Sequence, residues 1–228
     1  MIEIYKIKID DTISDNEISS LLQLIPGKRN AYLKKFVGKK DLLRGLYSSL
    51  LIRSVISQKL NLTLSEIEFH TNENQKPFLK NHPNFHFNIS HSGDYVICGV
   101  SNSTIGVDIE LMKIKNLEIA ESVFAEQELQ VFKNLPENEK QIFFFSLWTL
   151  KESYIKATGK GLSLDLKSFY FKINNEGFIS LFSPYQYKCI NFKIYDIDQN
   201  YTCAVCAEDI YFPDTVISHN LNFVNCHF

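Results

Sequence analysis

Several signals that would settle the class of this chain at once are missing from it. With 24 basic and 26 acidic residues and a net charge of -2, it has no global positive field of the kind nucleic acids require. No nucleic-acid partner is expected, and any anionic ligand must be met by a local cluster. The longest apolar run, IFFFSLWTL at Ile142 to Leu150, is well short of the roughly 20 residues of a membrane span. The start, MIEIYKIKID, alternates apolar and polar residues where a secretory leader would show a basic start and an unbroken apolar stretch. It reads as a first strand, so a soluble, cytoplasmic protein without a membrane partner is expected. Cysteine is scarce and odd in number: Cys98, Cys189, Cys203, Cys206 and Cys226 do not suggest a secreted disulfide framework and fit reduced thiols. Cys203 and Cys206 form a C-x-x-C, but in the β-like run TCAVCA positions three apart face opposite sides of a sheet. That favours core packing over redox or zinc chemistry. There is no G-x-x-x-x-G-K-[ST] and no G-x-G-x-x-G, which excludes P-loop and dinucleotide-fold chemistry.

What the chain does contain is a helix-then-strand plan, read twice. The 228 residues suffice for one real core or two small ones. After the first strand, residues 15 to 25 form a short amphipathic helix, and P-G-K-R at Pro26 to Arg29 opens a long helical pattern to about Leu60, with Leu43, Leu46, Leu50 and Leu51 in period. Strands are expected at 67 to 70, 84 to 89, 95 to 101 and 105 to 110. The second part has helical stretches at 117 to 124, 126 to 135 and 139 to 158, the last stopped by Gly159 and Gly161, then strands at 169 to 173, 177 to 181, 188 to 197 and 201 to 207. This predicts an α+β protein of two similar halves, divided as 1 to 104 and 105 to 228.

Three motifs carry chemistry. In GVDIE, side chains two apart share a strand face, so Asp108 and Glu110 project together while Val107 and Ile109 bury on the other side. Such a pair of hard oxygens suits Mg²⁺ completed by substrate phosphates; the alternative is a solvated edge-strand face. In WTLKESYIKATGKGLS, Glu152, Lys156 and Gly159 fall on one helical stripe with Trp148 a turn earlier. They suit a metal and its phosphate together, or form an ordinary Glu to Lys helix pair. In HFNISHSGDYVICGV, Asn88 to Gly93 is expected as a polar turn, with Ser90 and His91 as donors to a phosphate. Pro83 and the alternation of Phe85, Phe87 and Ile89 oppose zinc at His82, His86 and His91, and Ser90 lacks a hydrolase elbow. Lys28, Arg29, Arg44 and Lys76 are the basic residues available to complete an anion site.

Taken in order, QKP, FNISHSG, GVDIE and WTLKESYIKATGKGL make the chain resemble the 4'-phosphopantetheinyl transferases of the type that activates surfactin synthetase, down to IRSVIS at Ile52 to Ser57 and AVCA at Ala204 to Ala207. The resemblance implies transfer of the phosphopantetheine arm of coenzyme A to a serine of an apo acyl or peptidyl carrier protein, releasing 3',5'-ADP. It implies a monomer of two pseudo-twofold halves with coenzyme A in the cleft between them. Carried over, Asp108, Glu110 and Glu152 would hold Mg²⁺, and Lys156 would contact the coenzyme A phosphates. Ser90 and His91 would hold the pyrophosphate and 3'-phosphate side, Lys28 and Arg44 would add charge at the 3'-phosphate, and Lys76 would line the nucleotide pocket. Glu152 would also serve as general base. The second lysine common one turn after Lys28 is replaced here by Ala31 and Tyr32. Leu111, Met112 and Ile114, with Lys113 and Lys115, would meet an acidic carrier, or form an ordinary helix approach that packs its own core. A Mg²⁺-dependent nucleotide or pyrophosphate hydrolase and a non-catalytic coenzyme A binding module are the alternatives.

Overall fold

The computed structural model describes residues 1–113, 117–161, 164–174, 176–185 and 190–221. It is α+β. The order is β1 (Glu3–Lys8), α1 (Asp15–Gln23), α2 (Gly27–Leu33), α3 (Lys39–Leu60), β2 (Phe69–Thr71), β3 (Pro77–Leu79), β4 (His86–Ser92), β5 (Tyr95–Ser101) and β6 (Ile105–Leu111). There follow α4 (Ala120–Val123), α5 (Glu126–Asn134), α6 (Glu137–Thr158), β7 (Tyr170–Ile173), β8 (Ile179–Phe182), β9 (Asn191–Asp198), β10 (Tyr201–Ala207) and β11 (Ile217–Ser218). One sheet runs β11-β1-β5-β4, a second β6-β10-β9, and two ribbons pair β2 with β3 and β7 with β8. Within both main sheets the pairs are antiparallel except β1 with β11, which is parallel.

The alternation of each strand decides what packs where. Ile105, Val107 and Ile109 of β6 join Ile4, Ile97, Cys203 and Val205 in a core between the two sheets. The opposite face of β10, Ala204 and Cys206, belongs to the core under α6, with Phe144, Leu147, Leu150 and Tyr154. Leu46, Leu50, Leu51 and Val55 of α3 cover the other side of the first sheet with Val96 and Cys98. Cys203 and Cys206 thus lie in different cores, as the sheet period requires. Both thiols are free and buried, and burial pushes each up from its ordinary value. Cys189 and Cys226 lie outside the described residues.

Several expectations need correction. The helix expected from Pro26 to Leu60 is two, α2 and α3, separated at residues 34–38. Leu33 is fully buried against Gly45 of α3, where a Cβ would stand 2.6 Å from its Cδ2, so α2 folds back instead of continuing. Asn88 to Ser92 is strand rather than turn; β4 runs to Ser92 and the chain reverses only at Gly93 and Asp94. The helix expected at 117–124 shrinks to Ala120–Val123. β3 and β11 were not expected, and the start expected for β9, residues 188–189, is outside the described residues.

A buried ion pair braces the second helical layer. Lys151, with no exposed surface, donates to Glu128 Oε2 (2.9 Å) and to the carbonyls of Leu166 and Phe169 (both 2.7 Å). Glu128 also accepts from Ala125 N and Phe171 N, each 2.9 Å. Burial pushes Glu128 up and Lys151 down, each opposed by the other. Removing one partner strands the other in a dry site, which costs about 3–5 kcal/mol. Lys151→Met should therefore lose that much in urea unfolding, and Lys151→Met with Glu128→Gln should regain at least half. A double variant no more stable than the single one would refute a charge-based role.

β11 is tied down by His219, whose N–H donates to Lys6 O (2.8 Å) and whose ring sits 2.9 Å from Ser54 Oγ and edge-on to Tyr5. Burial holds its pKa below the ordinary value. Between that value and about 6.5 the unfolded chain binds the extra proton, so this contribution is complete above about pH 6.5 and is lost as pH falls. Thermal midpoints between pH 7.5 and 5.5 should fall less steeply for His219→Gln than for the parent. Equal slopes would remove His219 as the cause.

Candidate functional site

β6 presents Gly106, Asp108 and Glu110 to α6, and the two periods are commensurate. Two strand residues span about 6.6 Å and four helix residues about 6 Å. Gly106 and Asp108 both face the turn from Ser153 to Ala157, and Glu110 faces the turn of Trp148. A Cβ on Gly106 would stand 2.0 Å from Ser153 O and 2.5 Å from Ala157 N, so only glycine lets α6 lie this close. Asp108 meets Lys156, with Nζ 2.6 Å from Oδ1. Glu110 meets Trp148, whose Nε1 is 3.4 Å from Oε1. Gly159, at φ +67°, then ends the helix in the left-handed conformation.

The opposite wall is the edge of β4. Its alternate residues reach across to β6: Val107 N donates to Asn88 Oδ1 (2.9 Å), Ser90 Oγ to Asp108 Oδ1 (2.9 Å) and Ser92 Oγ to Glu110 Oε2 (2.7 Å). Lys156 Nζ also lies 2.9 Å from Ser90 Oγ. Asp108, Ser90 and Lys156 thus form one network where the two sheets meet, and Glu110, held by Ser92 and Trp148, lies beside it on the same strand. Asp108 is only 3% exposed, which rules out the solvated-edge reading of GVDIE.

The electrostatics are unbalanced toward negative charge. Burial first, against the pull of Lys156 and Ser90, raises the Asp108 carboxyl. Burial and then the Asp108 charge raise Glu110, and burial, then Asp108, opposed by Lys156 and joined by Glu110, raise half-buried Glu152. Asp108 Oδ2 is buried without a hydrogen-bond partner. An unpartnered carboxylate oxygen in a cluster of acids is the arrangement that a small cation relieves. Among the described residues no three His, Cys, Asp or Glu side chains converge tightly enough to enclose a metal. The hard carboxylate oxygens and the unpartnered Oδ2 would suit an ion that keeps part of its shell for water and ligand oxygens, as Mg²⁺ does.

The expected basic residues divide. Arg44 Nε donates to Gly93 O (3.1 Å), at the hairpin end beside the network, and its guanidinium pairs with Asp41 (3.0 Å). His91, on the same strand edge, is held below the ordinary imidazole value by crowding of the surrounding protein and then by Arg44 and Lys156. Lys76 turns its ammonium onto Ala157 O (3.0 Å) and Ile105 O (3.3 Å), and burial draws it down to about 8. It borders a cavity of about 340 Å³ lined also by Pro77, Phe87, Thr104 and Gly159. Lys28 is exposed on α2, and among the described residues no hydrogen bond or ion pair links it to the network. Arg29 leans on the Tyr32 ring and donates to Ser49 Oγ (3.0 Å), serving the fold. Asn88, Ser92 and Gly106 were missed as site residues. Their roles depend on which strand edge faces which, which no local pattern announces.

Residues 104–206 match the family described as the 4'-phosphopantetheinyl transferase superfamily, and residues 12–103 match the 4'-phosphopantetheinyl transferase N-terminal family. The chain is 38% identical to the 4'-phosphopantetheinyl transferase ffp of Bacillus subtilis over 95% of its own length and 98% of the relative. It is also 38% identical to Sfp of Bacillus subtilis strain 168, over 94% and 96%, and 33% identical to gsp of Aneurinibacillus migulanus, over 91% and 86%.

The Gly106 contact gives a direct test. Gly106→Ala should push α6 off β6 and cost about 1–3 kcal/mol in urea unfolding, with a weakened Lys156 to Asp108 pair. A variant as stable as the parent would show that the helix can shift at no cost.

Proposed function

This chain belongs to the 4'-phosphopantetheinyl transferase family and transfers phosphopantetheine from coenzyme A to a carrier protein; from that premise we propose that the transfer takes place at the Asp108 and Lys156 network. In this reading the two halves, residues 1–104 and 105–228, are related by a pseudo-twofold axis and coenzyme A lies in the cleft between them. Mg²⁺ is held by Asp108, Glu110 and Glu152. The observation that carries this is the buried, unpartnered Oδ2 of Asp108 inside a cluster of three acids whose pKa values all rise.

When bound, Mg²⁺ neutralises charge on the pyrophosphate. Lys156 has three ammonium donors; two are directed at Ser90 Oγ and Asp108 Oδ1, which leaves one for a phosphate oxygen. Ser90 and His91 line the phosphate side, and an arriving phosphate favours the charged form of His91 that burial first, and then Arg44 and Lys156, disfavour. Lys28 and Arg44 serve the 3'-phosphate, and Lys76 the nucleotide end at its cavity. Glu152 lies one turn before Lys156, and burial followed by the Asp108 charge raises its carboxyl above the ordinary value, which suits a general base. It takes the proton of the carrier serine as the serine oxygen bonds to phosphorus and the bond to the 3',5'-ADP oxygen breaks.

The carrier approaches past Leu111, Met112 and Lys113; Ile114 and Lys115 lie outside the described residues. In this reading the chain acts as a monomer. Among the described residues no helix is long and apolar enough to cross a membrane, and the free thiols fit a cytoplasmic setting.

Glu152→Gln keeps the shape and removes the basicity. Single-turnover transfer to an apo carrier at saturating Mg²⁺ should fall by about 10²- to 10⁴-fold, while calorimetric coenzyme A binding largely survives. A rate within about threefold of the parent would reduce Glu152 to a surface partner of Lys156.

A further inference from the structure

Glu110 is held at both oxygens, and the two holds are unequal. Trp148 Nε1 is 3.4 Å from Oε1, a long contact, whereas Ser92 Oγ is 2.7 Å from Oε2. The serine hydroxyl is itself oriented, because Leu111 N donates to it at 3.1 Å. A hydroxyl has one proton. With a backbone N–H on its lone pair, that proton is free for the carboxylate of the preceding residue. Ser92 thus spans both the side chain of Glu110 and the backbone just after it, from the neighbouring sheet.

The same relation occurs one step earlier along the seam, where Ser90 donates to Asp108. The two hydroxyls and the two carboxylates are each two residues apart, so a single register of β4 against β6 sets both pairs. Asp108, however, has Lys156 as well. Glu110 has no ammonium group bonded to it among the described residues, and its strongest hydrogen-bond donor is Ser92.

We propose that Ser92 is the positioning residue of Glu110: by donating to Oε2 it fixes the carboxylate plane and turns Oε1, which carries only the long Trp148 contact, toward a divalent cation. This rests on the reading of Glu110 as a metal ligand. Partners that orient a ligating carboxylate typically govern metal affinity by about 10- to 100-fold when lost. Coenzyme A contacts made by the basic residues should not depend on Ser92 at all.

The test is electron paramagnetic resonance titration of Mn²⁺ into the full chain with coenzyme A present, beside calorimetry of coenzyme A without metal. Ser92→Ala should weaken Mn²⁺ by about 10- to 100-fold and leave metal-free coenzyme A affinity within about twofold. Ser92→Thr, which keeps the hydroxyl, should return Mn²⁺ affinity to within about threefold of the parent. Transfer by Ser92→Ala should recover as Mg²⁺ is raised. Parent-like Mn²⁺ affinity in Ser92→Ala would overturn the proposal, as would an equal loss of metal and metal-free coenzyme A binding, which would mark general damage. A parent protein that binds no Mn²⁺ with coenzyme A would overturn the metal reading itself, a failure distinguishable because no variant enters into it.

Discussion

Asp108 is the anion around which the rest is arranged. A carboxylate that is 3% exposed persists only if charge and hydrogen bonds reach it in place of water. Lys156 from α6 and Ser90 from β4 do so, and each requires a separate piece of the fold to be in place. α6 reaches the strand because Gly106 has no side chain, and β4 reaches it because its alternate residues end in short polar groups. The site is therefore a consequence of two packings: a helix on a strand, and one sheet edge beside another. The residues proposed to meet anions and cations are the same ones that hold those packings together.

Two of the ion pairs of α6 show how burial sorts roles. Lys151 and Lys156 lie five residues apart on α6 and face different neighbours. Lys151 has its ammonium filled by two carbonyls and a carboxylate, and Glu128 is equally filled. Nothing is left over for a ligand, so the pair is a brace. The Asp108 and Lys156 pair keeps one buried oxygen and one donor unspent. Incomplete satisfaction, found elsewhere in the interior at Asn30 Oδ1 and Ser48 Oγ, here separates the pair proposed as reactive from the structural one.

Much of this was legible in residue order. The period-two placement of Asp108 and Glu110 against Val107 and Ile109, and the stripe of Trp148, Glu152 and Lys156, are local patterns and came through intact. The extents of β5, β10 and most of α6 followed from the same periodicity. What did not come through depended on distant partners. The break between α2 and α3 arises from Leu33 seeking Gly45, and β11 is too short to carry a period. Asn88 to Ser92 looks like a turn by composition, since Asn, Ser and His in a row are loop residues. Its polar groups are strand-compatible only because β6 receives them, and that neighbour is some 18 residues on in the chain.

The pairing of Tyr5 with Ile217 and Lys6 with Ser218 also imposes an order in time. On a ribosome, β1 emerges before its outer neighbour and waits for it until residues 9 to 216 have been made, about 10 to 40 s at usual elongation rates. Throughout that interval one edge of EIYKIK is open to strands of other nascent chains. Lys6 and Lys8 stand on that strand, and lysine on an open edge discourages such pairing. The first strand is thus charged for a period of its life that the finished fold no longer displays.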